Sequence, residues 1–317
     1  MPSTVTHSLF VKDVCEILPS NIVSKLDLNR CRGFAHGTDS LMFYLSNKNI
    51  RKLHFYSHEN KTRDFFVNLL NYVRSNQIKD KDTYSFIVGF ICHYILDTTM
   101  HPFIIYKTGD FDRKNPSTYK YNNVHHFMET FIDNDMIRRR LRKYPYKYDF
   151  CKDCFDNREF SNELDDTINH VFYDTYDVKD MGKIYYKSLK KEKLFLTLFR
   201  RDRYGIKKFF YKLLDTVTPR SCFRFEALSY HYPLDDRHNF LNSDNKIWRN
   251  PTDYDMTSKE SFVDLYVKAL KEAKVAIKVA FDYIDGKNVV LEDVFTNLSY
   301  YTGLDCEERR ELKYFEF

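Results

Sequence analysis

DTYSFIVGFICHYILDTTMH, residues 82–101, is apolar nearly all round, yet it carries His93, Asp97 and His101 at intervals of four. A helix without a polar face reads as a central buried one, and Pro102 directly after it predicts its stop. Residues four apart on a helix differ by about 40° around the axis, so the three side chains fan across roughly 80° of one face. Burying that many ionisable groups without a compensating charge is costly. Either the core tolerates them as locally hydrogen-bonded groups, or they converge on something charged.

The next helix repeats the pattern. In HHFMETFID, residues 125–133, His125 and Glu129 are again four apart. An imidazole nitrogen and a carboxylate oxygen on consecutive turns reach one point, as zinc requires of ligands at about 2.0–2.2 Å. His126 is turned about 100° away, which makes His125 the better partner of Glu129. A single His-x-x-x-Asp more often means a local hydrogen bond than a metal. Two such pairs plus His101 make a divalent cation the economical explanation. Eight of the eleven histidines fall before residue 127. Spacing alone does not choose among His7, His36, His54 and His58, nor does it prove that Asp39, after the GFAHGTD turn, joins them.

Around this centre the chain reads as all-α. It has 317 residues, only 8 Gly and 8 Pro, and long periodic segments, which disfavour a sandwich or barrel. Thr6 reads as N-cap of a first helix through HSLFVKDVCEIL. ENKTRDFFVNLLNYVRS (59–75) and NNVHHFMETFIDNDMI (122–137) follow as helices, with a polar loop at 106–121 before the latter. Residues 150–250 show shorter helical patterns. TSKE (257–260) reads as the capping box of a long helix from Ser261. One domain over 1–317 is expected, with the metal-site helices in about 1–150 and a helical C-terminal part in about 151–317.

Composition narrows the rest. No stretch reaches the roughly 18 apolar residues of a membrane span, and MPSTVTHSLF lacks the basic and apolar regions of a signal peptide. A soluble, cytoplasmic protein is expected. Seven cysteines spread over the chain do not form a disulfide framework, and Cys151 and Cys154 in CKDC read as incidental loop residues. The net charge of +5 is mild, but basic residues bunch at 136–148, 187–193 and 199–208. Each run reads first as a solvated face; together they suit anions such as phosphate esters, lipid head groups or nucleic acid.

Taken in order, THSLF, GTDSLMFY, SHENKTRDFF, CHYILDTTMHPF and HHFMETFID resemble the zinc-dependent phospholipase C family, whose fold is shared with P1-type nucleases. The motif region spans 7–133, and SKESFVDLYVKAL and NLSYYTGL are similar to segments of uncharacterised bacterial members. The resemblance implies an all-α bundle around a multinuclear zinc site. It assigns Asp39, His58, His93 and Asp97 to one zinc and His101, His125 and Glu129 to a second. His7 would serve a third, with Asp97 bridging. It implies a zinc-activated water attacking a phosphate ester; a carboxylate can act from the metal's edge, so Asp39 is the residue expected to orient that water or take its proton.

Two departures stand out. Secreted members bind the third zinc through a processed N-terminal residue, whereas this chain starts Met1-Pro2. His101 also follows Asp97 at a shorter gap than in the best-known enzymes. The implied partners are a phosphate-ester small molecule or phospholipid head group, with peripheral contact to anionic lipid. The alternatives are a P1-type nuclease acting on nucleic acid, and a helical protein that zinc merely stabilises.

Overall fold

The computed structural model describes residues 4–112, 114–121, 123–199, 201–218, 224–230, 238–308 and 310–316, so the Met1-Pro2 start lies outside the described residues. Twelve α-helices follow in order among them: α1 Thr4–Ile17, α2 Ser20–Val23, α3 Leu28–Phe34, α4 Lys48–Glu59, α5 Thr62–Ser75, α6 Lys81–Thr108, α7 Val124–Arg139, α8 Phe150–Asp153, α9 Asn162–Tyr176, α10 Met181–Leu196, α11 Ile206–Val217 and α12 Phe262–Ile284. One antiparallel pair of short strands, β1 Trp248–Asn250 and β2 Asp253–Ser258, interrupts them. The fold is all-α, as the sparse glycine and proline implied.

α6 is the axis. Every residue from Thr83 to Thr98 is buried, as a helix apolar on all sides must be. α3 and α12 pack along it most extensively, with α1, α7 and α9 closing other sides. Asp80 starts it by accepting the Thr83 N–H at 2.8 Å.

Pro102 does not stop α6, which continues to Thr108. A proline inside a helix removes one donor and frees the carbonyl four residues earlier, here that of Thr98. The C-terminal segment fills the place: Gly303 approaches so closely that a Cβ there would stand 2.7 Å from the Thr98 oxygen. The proline is tolerated because a distant loop packs on the gap it makes.

Other boundaries differ from the sequence reading as well. α1 is already helical at Thr4, so Thr6 is not its N-cap. The Thr6 hydroxyl instead donates to buried Asp133 of α7 at 2.7 Å. Asp133 also accepts the main-chain N–H groups of Val5 and Thr6 at 2.9 and 2.8 Å and the Tyr230 hydroxyl at 2.6 Å. One carboxylate from another helix thus satisfies the donors that a helix start leaves open. Asp133→Ala strands four buried donors at once. It should destabilise the protein by at least about 2 kcal/mol, read as a lower urea midpoint with the slope unchanged.

TSKE is not a capping box, because Thr257 and Ser258 end β2. The box is Ser261 with Asp264, each side chain accepting the other's main-chain N–H, at 3.2 and 2.9 Å. Residues 106–108 are helical, and a 3-10 turn occupies Pro116–Tyr121 in the segment read as loop. Cys151 lies in α8 and Cys154 directly after it, and both are buried in the core. No described cysteine forms a disulfide, and burial pushes the Cys154 thiol up to about 12, which leaves it inert.

Candidate metal centre

α6 presents His93, Asp97 and His101 toward α1, α4 and α7. All three are buried, with at most 6% exposure. Asp39 arrives from a 3-10 turn, Asp39–Phe43, that opens just after Gly37. Gly37 sits at φ +52°, and a Cβ there would stand 2.1 Å from His93 Cδ2, against the edge of the ring. The turn is clamped from α10, where buried Glu192 accepts the Ser40 hydroxyl at 2.6 Å and pairs with His36 Nδ1 at 3.0 Å. His36 is therefore bound to this carboxylate, away from the cluster.

Two groups of side chains emerge. Asp39, His58, His93 and Asp97 each bring one donor atom within 4.8 Å of all the others, and His101, His125 and Glu129 do the same. In the first, His58 Nε2 stands 3.0 Å from Asp39 Oδ1 and His93 Nε2 3.4 Å from Asp97 Oδ2. In the second, His125 Nε2 and His101 Nε2 lie 3.0 and 3.6 Å from Glu129 Oε1. His126 reaches only within 3.9 Å of Glu129. His101 Nδ1 to Asp97 Oδ2, 3.8 Å, ties the groups together. His7 belongs to neither group but touches the other Asp97 oxygen, Nε2 to Oδ1 at 3.1 Å.

The rings are aimed from behind. His58 Nδ1 donates to the His54 carbonyl at 2.7 Å, His93 Nδ1 to that of Ala35 at 3.1 Å, and His101 Nδ1 to that of Tyr300 at 2.9 Å. A carbonyl only accepts, so each Nδ1 carries the hydrogen and each Nε2 turns inward. Tyr301 stacks on His58 with ring centroids 5.5 Å apart. The Tyr300 N–H donates to the His58 carbonyl at 2.9 Å. No spacing rule points to this C-terminal loop. His54, four residues before His58 on α4, also enters, with Nδ1 3.1 Å from Asp39 Oδ1; the His-x-x-x-His spacing was the signal for it.

The electrostatics suit a cation. Burial alone would raise Asp39, Asp97 and Glu129, but neighbouring histidines outweigh it and hold all three below the usual carboxylate range. Burial lowers His93 to about 3 against the pull of Asp97 and Asp39, and His54 to about 4. Burial lowers His101 too, yet Asp97 and Glu129 raise it to about 9. Three ionised carboxylates thus share one buried space with imidazoles that are partly neutral. His93 Nε2 and Asp97 Oδ2 have no hydrogen-bond partner. Orphaned buried atoms of these types are what a zinc ion consumes. The residues present fit the metal.

The family model described as zinc dependent phospholipase C matches residues 6–178, more than half of the chain. The chain belongs to the zinc-dependent phospholipase C family. No curated protein and no solved structure matches it. The match contains every residue of both groups and His7, while the Tyr300 loop lies beyond it. Zinc dependence comes with the family, and the two buried groups are where the described residues of this chain could hold the ions. No helix among them is long and apolar enough to cross a membrane.

Proposed function

We propose that the chain is a phosphate-ester hydrolase of the phospholipase C type, acting on phospholipid head groups as one domain. Asp39, His58, His93 and Asp97 would hold one zinc, His101, His125 and Glu129 a second, and His7 with Asp97 a third. The observation that carries this reading is the joined cluster itself. Structural zinc sites are closed and four-coordinate; here seven donors in two groups share Asp97 and His101 as a link. A single hydrophobic cluster from Val5 to Tyr300 supports the one-domain reading.

Zinc bound there supplies Lewis acidity and brings the pKa of water close to neutrality. The chain's own residues supply the rest. Asp39, held ionised by its three histidine neighbours, accepts a hydrogen bond from the attacking water and orients it. His125, the most exposed ligand at 24%, marks the side where the ester enters.

Metal analysis of the purified protein tests this first, followed by assay on a chromogenic phosphodiester, a phosphocholine lipid and single-stranded nucleic acid. Two or more zincs and turnover of the lipid are expected. Turnover confined to nucleic acid would replace the phospholipase with a nuclease. Two zincs without turnover would leave the metals a folding role.

Zinc uptake should also release protons. Metal-free His101, at about 9, is charged at pH 7, and a ligand must be neutral. Affinity should therefore weaken as pH falls, by about tenfold per unit for this one proton, and strengthen toward pH 9. Calorimetry in two buffers of different ionisation enthalpy counts the protons. A count of zero would remove His101 from the ligand set.

A further inference from the structure

A helix on a protein surface ordinarily turns its apolar stripe to the core and its polar face to water. α11 does the reverse. Ile206, Phe209, Phe210, Leu213, Leu214 and Val217 are 48–71% exposed and share an arc of roughly 140° on its outer side. Its one buried residue is polar, Asp215.

The polar face is the mooring. The two Asp215 carboxylate oxygens accept the main-chain N–H groups of Phe225 and Glu226, each at 2.9 Å. Buried Asp202 accepts those of Lys207 and Lys208 at 3.1 and 2.8 Å, capping the helix start. The Tyr211 hydroxyl donates to the Leu198 carbonyl at 2.6 Å. Polar contacts at both ends fix the orientation, so the outward apolar face is built in and not a fraying end.

An apolar stripe held in water marks a partner, and the charges around it say which. Exposed Lys212 lies beyond one edge of the arc and exposed Arg203 precedes the helix, while half-buried Lys207, whose ammonium donates to the Leu198 carbonyl at 3.0 Å, borders the other edge beside Leu214. A second copy docking through this face would bring like charges together. An anionic bilayer instead receives the rings among its acyl chains and the lysines among its head groups. Twelve residues are too short to span, so the helix would lie in the plane of the surface.

The polar side of α11 also meets the metal-site helix. Lys208 lies over the Phe127 ring, and Lys208 and Lys212 line a cavity of about 490 Å³ with Asn123, Val124 and Phe127. Those three flank His125 and His126 at the start of α7. The outer face of α11 is thus one helix layer from the exposed ligand.

We propose that α11 is a docking helix that seats the protein on an anionic lipid surface, an inference resting on the reading that its substrate is a phospholipid. The test is co-sedimentation of the zinc-loaded full chain with phosphatidylcholine vesicles, with and without phosphatidylglycerol. The wild type should bind the anionic vesicles and the triple variant Phe209→Ser/Phe210→Ser/Leu213→Ser at least tenfold more weakly. The variant's melting temperature and its turnover of a water-soluble phosphodiester should stay unchanged. Lys212→Glu should weaken binding only where phosphatidylglycerol is present.

A wild type that ignores anionic vesicles, or a triple variant that binds them equally, overturns the proposal. So does a wild-type dimer that the triple variant converts to monomer. Vesicle binding without lipid turnover upholds the docking helix and sinks the phospholipid reading alone.

Discussion

Asp39→Asn is expected to lower turnover by on the order of 10²–10⁴-fold while most of the zinc remains bound. Asparagine keeps the shape and one oxygen at the position of Asp39 Oδ1, 3.0 Å from His58 Nε2 and 3.1 Å from His54 Nδ1. The other members of that group, His58, His93 and Asp97, stay in place. What disappears is the charge that makes the oxygen a strong acceptor. Burial works against ionisation of Asp39, yet His93, His54 and His58 keep it charged; the amide cannot be. A water that must be held for in-line attack then loses its orienting partner, a loss of about 3–5 kcal/mol in the barrier. The interaction is made in the transition state, so kcat and kcat/KM should fall together with little change in KM. An unchanged rate would end the catalytic role of Asp39. Loss of zinc in parallel with rate would make it a ligand only.

The parts of this molecule that a reader of the sequence can see are those carried by local spacing. α6 shows itself through an apolar run with three polar residues every fourth position, and α7 through His125 and Glu129. α4 does not, because LSNKNIRKLHFYSHEN is mostly polar and buries only one narrow stripe, Ile50, Leu53, His54, Ser57 and His58. His58 consequently looks like a residue before a helix when it ends one. Pro102 looks like a stop because the group that tolerates it, Gly303, is some two hundred residues away.

Separation in sequence likewise hides the Tyr300 carbonyl, 199 residues from His101, and the Asp133 carboxylate, 128 residues from Val5 in α1. The acceptors behind the rings, such as the Ala35 and His54 carbonyls, belong to the main chain, so no residue type announces them. α11 was legible only as a basic run. Its hydrophobic period is helical, and nothing in a period tells which way the helix faces; Asp202 and Asp215, by binding main-chain amides, decide that.

Gly37→Ala should remove zinc from the Asp39, His58, His93 and Asp97 group with a change of one methyl group. Two effects combine. The backbone at φ +52° costs a residue with a Cβ about 1–2 kcal/mol. The Cβ would also stand 2.6 Å from His93 Cγ, well inside contact distance, so the ring must leave. It cannot move and still donate from Nδ1 to the Ala35 carbonyl at 3.1 Å, and its inward Nε2 moves with it. Loss of such an orienting partner alone weakens metal binding about 10–100-fold; displacing the ligand should exceed that. His125 and Glu129 lie on α7, and His101 sits eight residues, about two turns, beyond His93 on α6; this group should keep its ion, so metal analysis should show the loss of one site and not of all. Gly205→Ala separates the two effects. Gly205 has φ +70° and nothing within 4 Å of a Cβ, so it bears the backbone cost alone and should lower the melting temperature without touching zinc. If Gly37→Ala behaves like Gly205→Ala, His93 is not a ligand and the first group has to be redrawn.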